Sequence, residues 1–130
     1  MKSSSAIGRT AELRVATKLM DLGYQVFQPL STDLGYDLLT GHVDSPHDFE
    51  RVQVKVGWRQ PNGRIKLSLR YNDNDYEAGT FDWLAIVNGE RIWFLPWDLV
   101  FPQYTITVGN GGEWDKYEIT TLSASTLVTA

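Results

Sequence analysis

The chain has 130 residues, 42% of them hydrophobic and 22% charged, which is enough apolar material for one packed core and too little length for two. It has no cysteine and only two histidines, His42 and His47. Disulfide frameworks, thiolate metal sites and cysteine nucleophiles are therefore excluded, and acid–base or metal chemistry falls to carboxylates, amides and lysine. The net charge of −4 is unevenly placed: residues 1–70 carry ten basic and seven acidic groups, residues 71–130 two basic and nine acidic, so a one-sided basic surface can still meet a phosphate backbone.

The N-terminal MKSSSAIGRT is polar and lacks the apolar stretch of a secretory signal, and no later run approaches the roughly 20 apolar residues that cross a bilayer. With no cysteine, these features lead us to expect a soluble, cytoplasmic protein that does not use a membrane. The spacing of Ile7, Ala11, Val15, Leu19 and Leu22 predicts a helix over Ser5–Leu22, with Ser3, Ser4 or Ser5 available as N-cap and Gly23 as the stop. Tyr24–Gln28 alternates as a strand up to Pro29, and Tyr36–Leu39 is a second short strand. Gly41–Asp48 reads as a loop.

Phe49–Trp58 is the clearest strand, with Val52, Val54 and Val56 on one face and Gln53 and Lys55 on the other. Pro61, Asn62 and Gly63 predict a hairpin turn into Ile65–Tyr71, and Asn72–Thr80 is an acidic loop. Phe81–Val87 is apolar almost throughout, as a buried central strand requires. Asn88-Gly89 turns it into Arg91–Leu95, Pro96–Val100 follows as a short helix, and strands are expected at Tyr104–Val108 and Lys116–Thr120. The order implies an α/β fold: a central mixed sheet covered by helix, in one domain spanning 1–130.

Four polar residues sit where a purely structural role would not put them. Glu12 lies beside the buried stripe of the helix, and Asp37 opens a strand. Gln53 and Lys55, two apart on one strand, must project into the same place, which has to be either solvent or a site. A carboxylate that holds a hard divalent cation, a second oxygen ligand and a lysine are the parts that phosphodiester hydrolysis needs.

The pattern GRTAE, then Gly35-Tyr36-Asp37, then Arg51-Val52-Gln53-Val54-Lys55 resembles the PD-(D/E)XK nuclease superfamily. The similarity is strongest to its small members related to archaeal Holliday junction resolvases and to a cyanobacterial group I intron homing endonuclease. It covers residues 7–58 and extends loosely to the strands of Phe81–Leu95. The resemblance implies a restriction-endonuclease-like core and a metal-dependent DNA endonuclease of homing or junction-resolving type. It also implies Glu12, Asp37, Gln53 and Lys55 as the catalytic set, and a Mg2+ or Mn2+ ion on Asp37, Gln53 and Glu12. Two departures stand out: Tyr36 replaces the proline before the aspartate, and Gln53 replaces the second acid. A neutral amide there keeps a second reading open, a nucleic-acid-binding module of the same fold that does not cut.

DNA is the expected partner, met by Arg9, Ser31 and the basic hairpin of Arg59, Arg64, Lys66 and Arg70. Cutting two strands with one site per chain implies a homodimer or homotetramer. Ser31 and Thr32 fall where resolvases carry a functional serine, or are ordinary loop polarity. Asp82, between Phe81 and Trp83, either orients Lys55 or fixes a strand end. The tryptophans read as core and sheet packing, with Trp58, just past the QVK strand, the one placed to do more.

Overall fold

The structure, a computed structural model, describes residues 4–31, 34–45, 47–69, 80–101 and 103–120. Arg70, Thr32, most of the acidic loop and the apolar tail Leu122–Ala130 lie outside these residues. Helix α1 occupies Ser4–Asp21, within a residue of the expected span. Ala11, Val15 and Leu19 are buried along its inner stripe, with Leu22 buried just beyond its end. The chain leaves the helix where Leu22 donates to the Lys18 and Leu19 carbonyls and Gly23 to that of Met20.

The main sheet has five strands, β1 (Tyr24–Phe27), β2 (Leu38–His42), β3 (Glu50–Val56), β6 (Trp83–Asn88) and β7 (Arg91–Pro96), hydrogen-bonded in the order β1-β2-β3-β6-β7. Only β3 and β6 run parallel among these neighbours, so the sheet is mixed, as expected. Three short strands, β4 (Trp58–Arg59), β5 (Ile65–Ser68) and β8 (Thr105–Val108), form a second, antiparallel sheet in the order β4-β5-β8. Helix α2 is a single turn, Trp97–Val100.

The main sheet lies between two apolar layers. Val52, Val54, Ala85 and Val87 pack against Ala11, Val15 and Leu19 of α1. On the opposite face Leu84, Ile86, Trp93 and Leu95 pack against Ile65, Leu67, Ile106 and Val108 of the second sheet. Each valine, leucine or isoleucine among them, fully buried, contributes roughly 1.5–3 kcal/mol. The connection from β3 to its parallel neighbour β6 carries β4 and β5, so a small sheet covers this face where a helix is the commoner solution.

Several boundaries differ from expectation. Phe49–Trp58 is two strands, broken at Gly57, where an added Cβ would run into Ile65 and Ile86 as the chain crosses from one sheet to the other. β2 starts at Leu38 and runs on through Gly41 and His42, which pair with Gln25 and Tyr24, so Asp37 stands just before the strand. Pro96 ends β7 and caps α2 from outside it. The expected strand Lys116–Thr120 is not formed: Asp115–Tyr117 is a 3-10 turn, and Glu118 alone bridges to Trp93. Turns at Trp114 and Asp115 use the backbone groups a ladder would need, and the Arg91–Glu118 ion pair at 2.7 Å holds the segment on β7.

Asp82 fixes a strand end. Its carboxylate accepts the Arg51 backbone N–H at 2.7 Å and both arms of the Arg51 guanidinium at 3.2 Å, while its own N–H donates to the Arg51 carbonyl. The starts of β3 and β6 are thereby locked in register, which sets where Gln53 and Lys55 stand.

Candidate active site

The antiparallel ladder between β2 and β3 ends at Leu38 and Val52. Beyond it the Asp37 N–H donates to the Val52 carbonyl, and the Asp37 carboxylate turns back so that Oδ2 accepts the Val54 N–H at 2.8 Å. That bond satisfies an edge amide which β2 has left unpaired. The separation of the two strands opens a cleft of about 450 Å³ at the edge of β3, lined by Ile7, Gly8, Ala11, Glu12, Asp37, Val54, Lys55, Val56 and Trp58. Three of the four residues singled out in the sequence, Glu12, Asp37 and Lys55, therefore meet in one place, each from a different element. Gly35, two residues before Asp37, lies so close to the Thr80 side chain that a Cβ there would force one of the two to move.

The electrostatics are those of a partly dry, mixed-charge site. Burial pushes the Glu12 carboxyl up and the Asp37 charge pushes it further, while Arg9 and an amide hydrogen bond from Gln28 oppose the rise. Burial also raises Asp37, against the Val54 N–H and the positive charge of Lys55. Lys55 is lowered to about 8 by burial, with Asp37 pulling the other way. Two carboxylates that repel each other, beside an ammonium reluctant to carry its proton, form a site short of positive charge.

Gln53 behaves differently. Register pairs it with Leu84 and Lys55 with Ile86, so the two share a face, as the alternation requires. Gln53 is only 7% exposed and does not line the cleft. Its side-chain amide makes no hydrogen bond to any described residue, yet it is not among the fully enclosed polar atoms that lack one, so it keeps some contact with solvent. The face it occupies is covered by the second sheet, so it is not the open platform that alternation alone allowed.

The remaining sequence candidates lie around this centre. Arg9 is exposed and sits 3.5 Å from Glu12. Ser31 is exposed after β1 and does not line the cleft. Arg59 and Lys66 are exposed on the second sheet, whereas Arg64 is half-buried with its Nε donating to the Gly109 carbonyl at 3.4 Å. Arg70 is outside the described residues. Sequence reasoning missed Gln28, an exposed residue just past β1 whose amide reaches Glu12, and nothing in its local pattern marks it.

A sequence profile of the PD-(D/E)XK endonuclease family matches residues 2–108. Protein 5.3 of Escherichia phage T7 is 31% identical over 113 residues, covering 84% of this chain and 93% of that protein. The fold is similar to that of a bacterial homing endonuclease, I-Ssp6803I, with a TM-score of 0.76 at 19% identity, over 90% of this chain and 89% of the other. The chain belongs to the PD-(D/E)XK endonuclease family, whose members generally use divalent metals.

Proposed function

We propose that this PD-(D/E)XK family member hydrolyses DNA phosphodiester bonds with a Mg2+ or Mn2+ ion held by Asp37, Glu12 and Gln53. The observation that carries the reading is the convergence of Glu12, Asp37 and Lys55 on one cleft. The donor types suit a hard cation, with Glu12 and Asp37 lining the cleft and Gln53 on β3 outside its lining. All three donors are oxygens, and Asp37 has Oδ2 committed to Val54 while Oδ1 accepts no hydrogen bond from a described residue.

A divalent ion of this kind contributes Lewis acidity toward the phosphoryl oxygen and lowers the pKa of its bound water. The chain's own residues do the rest. With Lys55 at about 8, its ammonium stands ready to neutralise charge growing on the phosphoryl oxygens, and its amine form, already accessible near neutral pH, can take the proton of the attacking water. Arg9 and Gln28 hold the Glu12 carboxylate toward the cleft. Val54 orients Asp37 through its backbone N–H. Arg59 and Lys66 offer phosphate contacts on the adjacent sheet. With this one cleft among the described residues, cutting both strands takes two copies, in a homodimer or homotetramer.

A second reading has its own observation. Among the described residues no three carboxylates, histidines or cysteines group together, and the third proposed ligand is a neutral, buried amide. A binding module of the same fold would look like this. Incubation with plain duplex, four-way junction and single-stranded DNA, with and without magnesium, separates the readings. Metal-dependent cutting lost in Asp37→Asn supports the nuclease, and the preferred substrate tells homing from junction resolution. Metal-independent binding with no cutting of any substrate establishes the module.

A further inference from the structure

Four of the five tryptophans are committed to packing. Trp83 meets Phe94 edge to face at 5.0 Å, Trp97 meets Phe81 and stacks on Phe101, and Trp114 lies against Tyr117. Trp93 is fully buried under the Arg91 guanidinium. Trp58 is different. It is 60% exposed, and its indole makes no ring contact or hydrogen bond with any described residue. Exposure alone does not explain this, because the exposed Phe27 and Phe49 pair with each other at 5.5 Å.

The place it occupies is fixed and adjoins the reactive centre. Its neighbour Gly57 donates to the Val87 carbonyl at 2.9 Å and accepts from the Asn88 amide at 3.0 Å, so the backbone beneath Trp58 is tied to β6. Trp58 lines the same cleft as Glu12, Asp37 and Lys55. On its other side it pairs across the second sheet with Lys66, and Lys66 pairs with Thr107. Cross-strand partners share a face, so Trp58, Lys66 and Thr107 form a row. Lys66 and Thr107 also line a shallow groove of about 470 Å³ with Arg64, Asn62 and Thr105.

We infer that Trp58 is a stacking platform for an unpaired nucleobase beside the scissile phosphate, with Lys66 and Thr107 holding the sugar–phosphate strand that leads away from it. The inference rests on the nuclease reading above and assigns part of its substrate site. A rigid indole face at the rim of the cleft offers every base a π-surface regardless of sequence, and the neighbouring ammonium meets the phosphate. Bases inside a duplex are already stacked on each other, so the platform serves a base that is frayed, flipped or at a branch point, where unstacking costs least.

The test uses the full chain in calcium, which keeps DNA intact, with a labelled oligothymidylate, an abasic strand of equal length and a duplex. The wild type should bind the oligothymidylate about five-fold or more tightly than the abasic strand. Trp58→Ala should lose that preference while keeping its affinity for the abasic strand, and Trp58→Phe should keep most of it. The inference is overturned if Trp58→Ala retains the preference, if it weakens both strands alike, or if the wild type binds the strands equally or binds only duplex. Those results leave the nuclease reading intact, whereas failure to bind strands and duplex alike removes that reading as well.

Discussion

Asp37 Oδ2 accepts the Val54 N–H at 2.8 Å, just past the last paired residues of β2 and β3. One carboxylate thus closes a sheet edge and faces the cleft, which makes its two roles separable by mutation. Asparagine keeps an oxygen for Val54 and loses the charge, while alanine loses both. Asp37→Asn should abolish cutting with stability changed by less than about 0.5 kcal/mol. Asp37→Ala should abolish cutting and also cost about 1–3 kcal/mol, because a part-buried amide is left without an acceptor. Plasmid cleavage and urea unfolding measure the two effects, and full activity in Asp37→Asn would remove the aspartate from the mechanism.

Lys55 carries an ammonium whose burial outweighs the attraction of Asp37. Such a group is kept for function and not for stability. Lys55→Met should therefore lower cleavage by at least about a hundred-fold, the usual scale for a missing acid–base group. DNA binding should persist, and the urea midpoint should be unchanged or raised. A large loss of stability with cutting retained would mean that Lys55 serves the fold.

Much of this site could be read from the sequence because its logic is local. The valine alternation of β3 fixed which residues share a face, and the helical spacing of Ala11, Val15 and Leu19 placed Glu12 beside the buried stripe. Long-range relations were not legible. Nothing in the order of residues says that β4, β5 and β8 assemble into a separate sheet, so the burial of Gln53 beneath that sheet could not be foreseen. Gly57 ends β3 for a tertiary reason, the approach of Ile65, which propensity does not report. The run KYEIT looks like a strand, yet the turn at Asp115 and the ion pair of Glu118 with Arg91 decide its shape.

The clamp of Arg51 on Asp82 predicts an acid-sensitive fold. Partial burial raises the Asp82 carboxyl, but the hydrogen bonds and charge of Arg51 outweigh it and hold the group below its ordinary value. Glu118 is held down by its hydrogen bond from Arg91, against a smaller effect of burial. A depressed carboxyl contributes stability that is fully present above its unfolded pKa, near 4, and is lost as pH falls through the lower folded value. Asp82→Asn should thus be less stable than wild type at neutral pH, with the gap closing progressively below about pH 4. Urea midpoints across that range measure it, and a gap that does not depend on pH would show that the clamp adds no charge-linked stability.

The exposed cations of the second sheet differ in how free they are to meet DNA. Arg64 is tied to the Gly109 carbonyl, but Arg59 and Lys66 are exposed. Replacing Arg59 and Lys66 with glutamate should weaken DNA binding and flatten its dependence on salt, by about 0.9 in log–log slope for each phosphate no longer neutralised. Changing Lys116, on the far side of the main sheet near Glu50 and Trp83, should do neither. The reverse pattern in a salt-titrated binding assay would move the DNA to another face.

Gln53 decides between the two readings of the protein. The residue is 7% exposed, its amide makes no hydrogen bond to a described residue, and it shares a face with Lys55. If it is a metal ligand, Gln53→Glu places a carboxylate where a cation can neutralise it. Without metal that carboxylate is a buried charge near Asp37, and the protein should be destabilised by a few kcal/mol unless the group takes up a proton. Excess magnesium or manganese should then restore the loss, because a ligand that binds only the folded state stabilises it in proportion to its affinity. The melting temperature of Gln53→Glu should therefore rise on adding metal by clearly more than that of the wild type. If Gln53 is only a core residue, Gln53→Leu should be neutral or stabilising with cutting retained, and Gln53→Glu should be destabilised equally with and without metal. Thermal melts of the three proteins in chelator and in metal distinguish these outcomes, and an equal response to metal in wild type and Gln53→Glu takes Gln53 out of the ligand set.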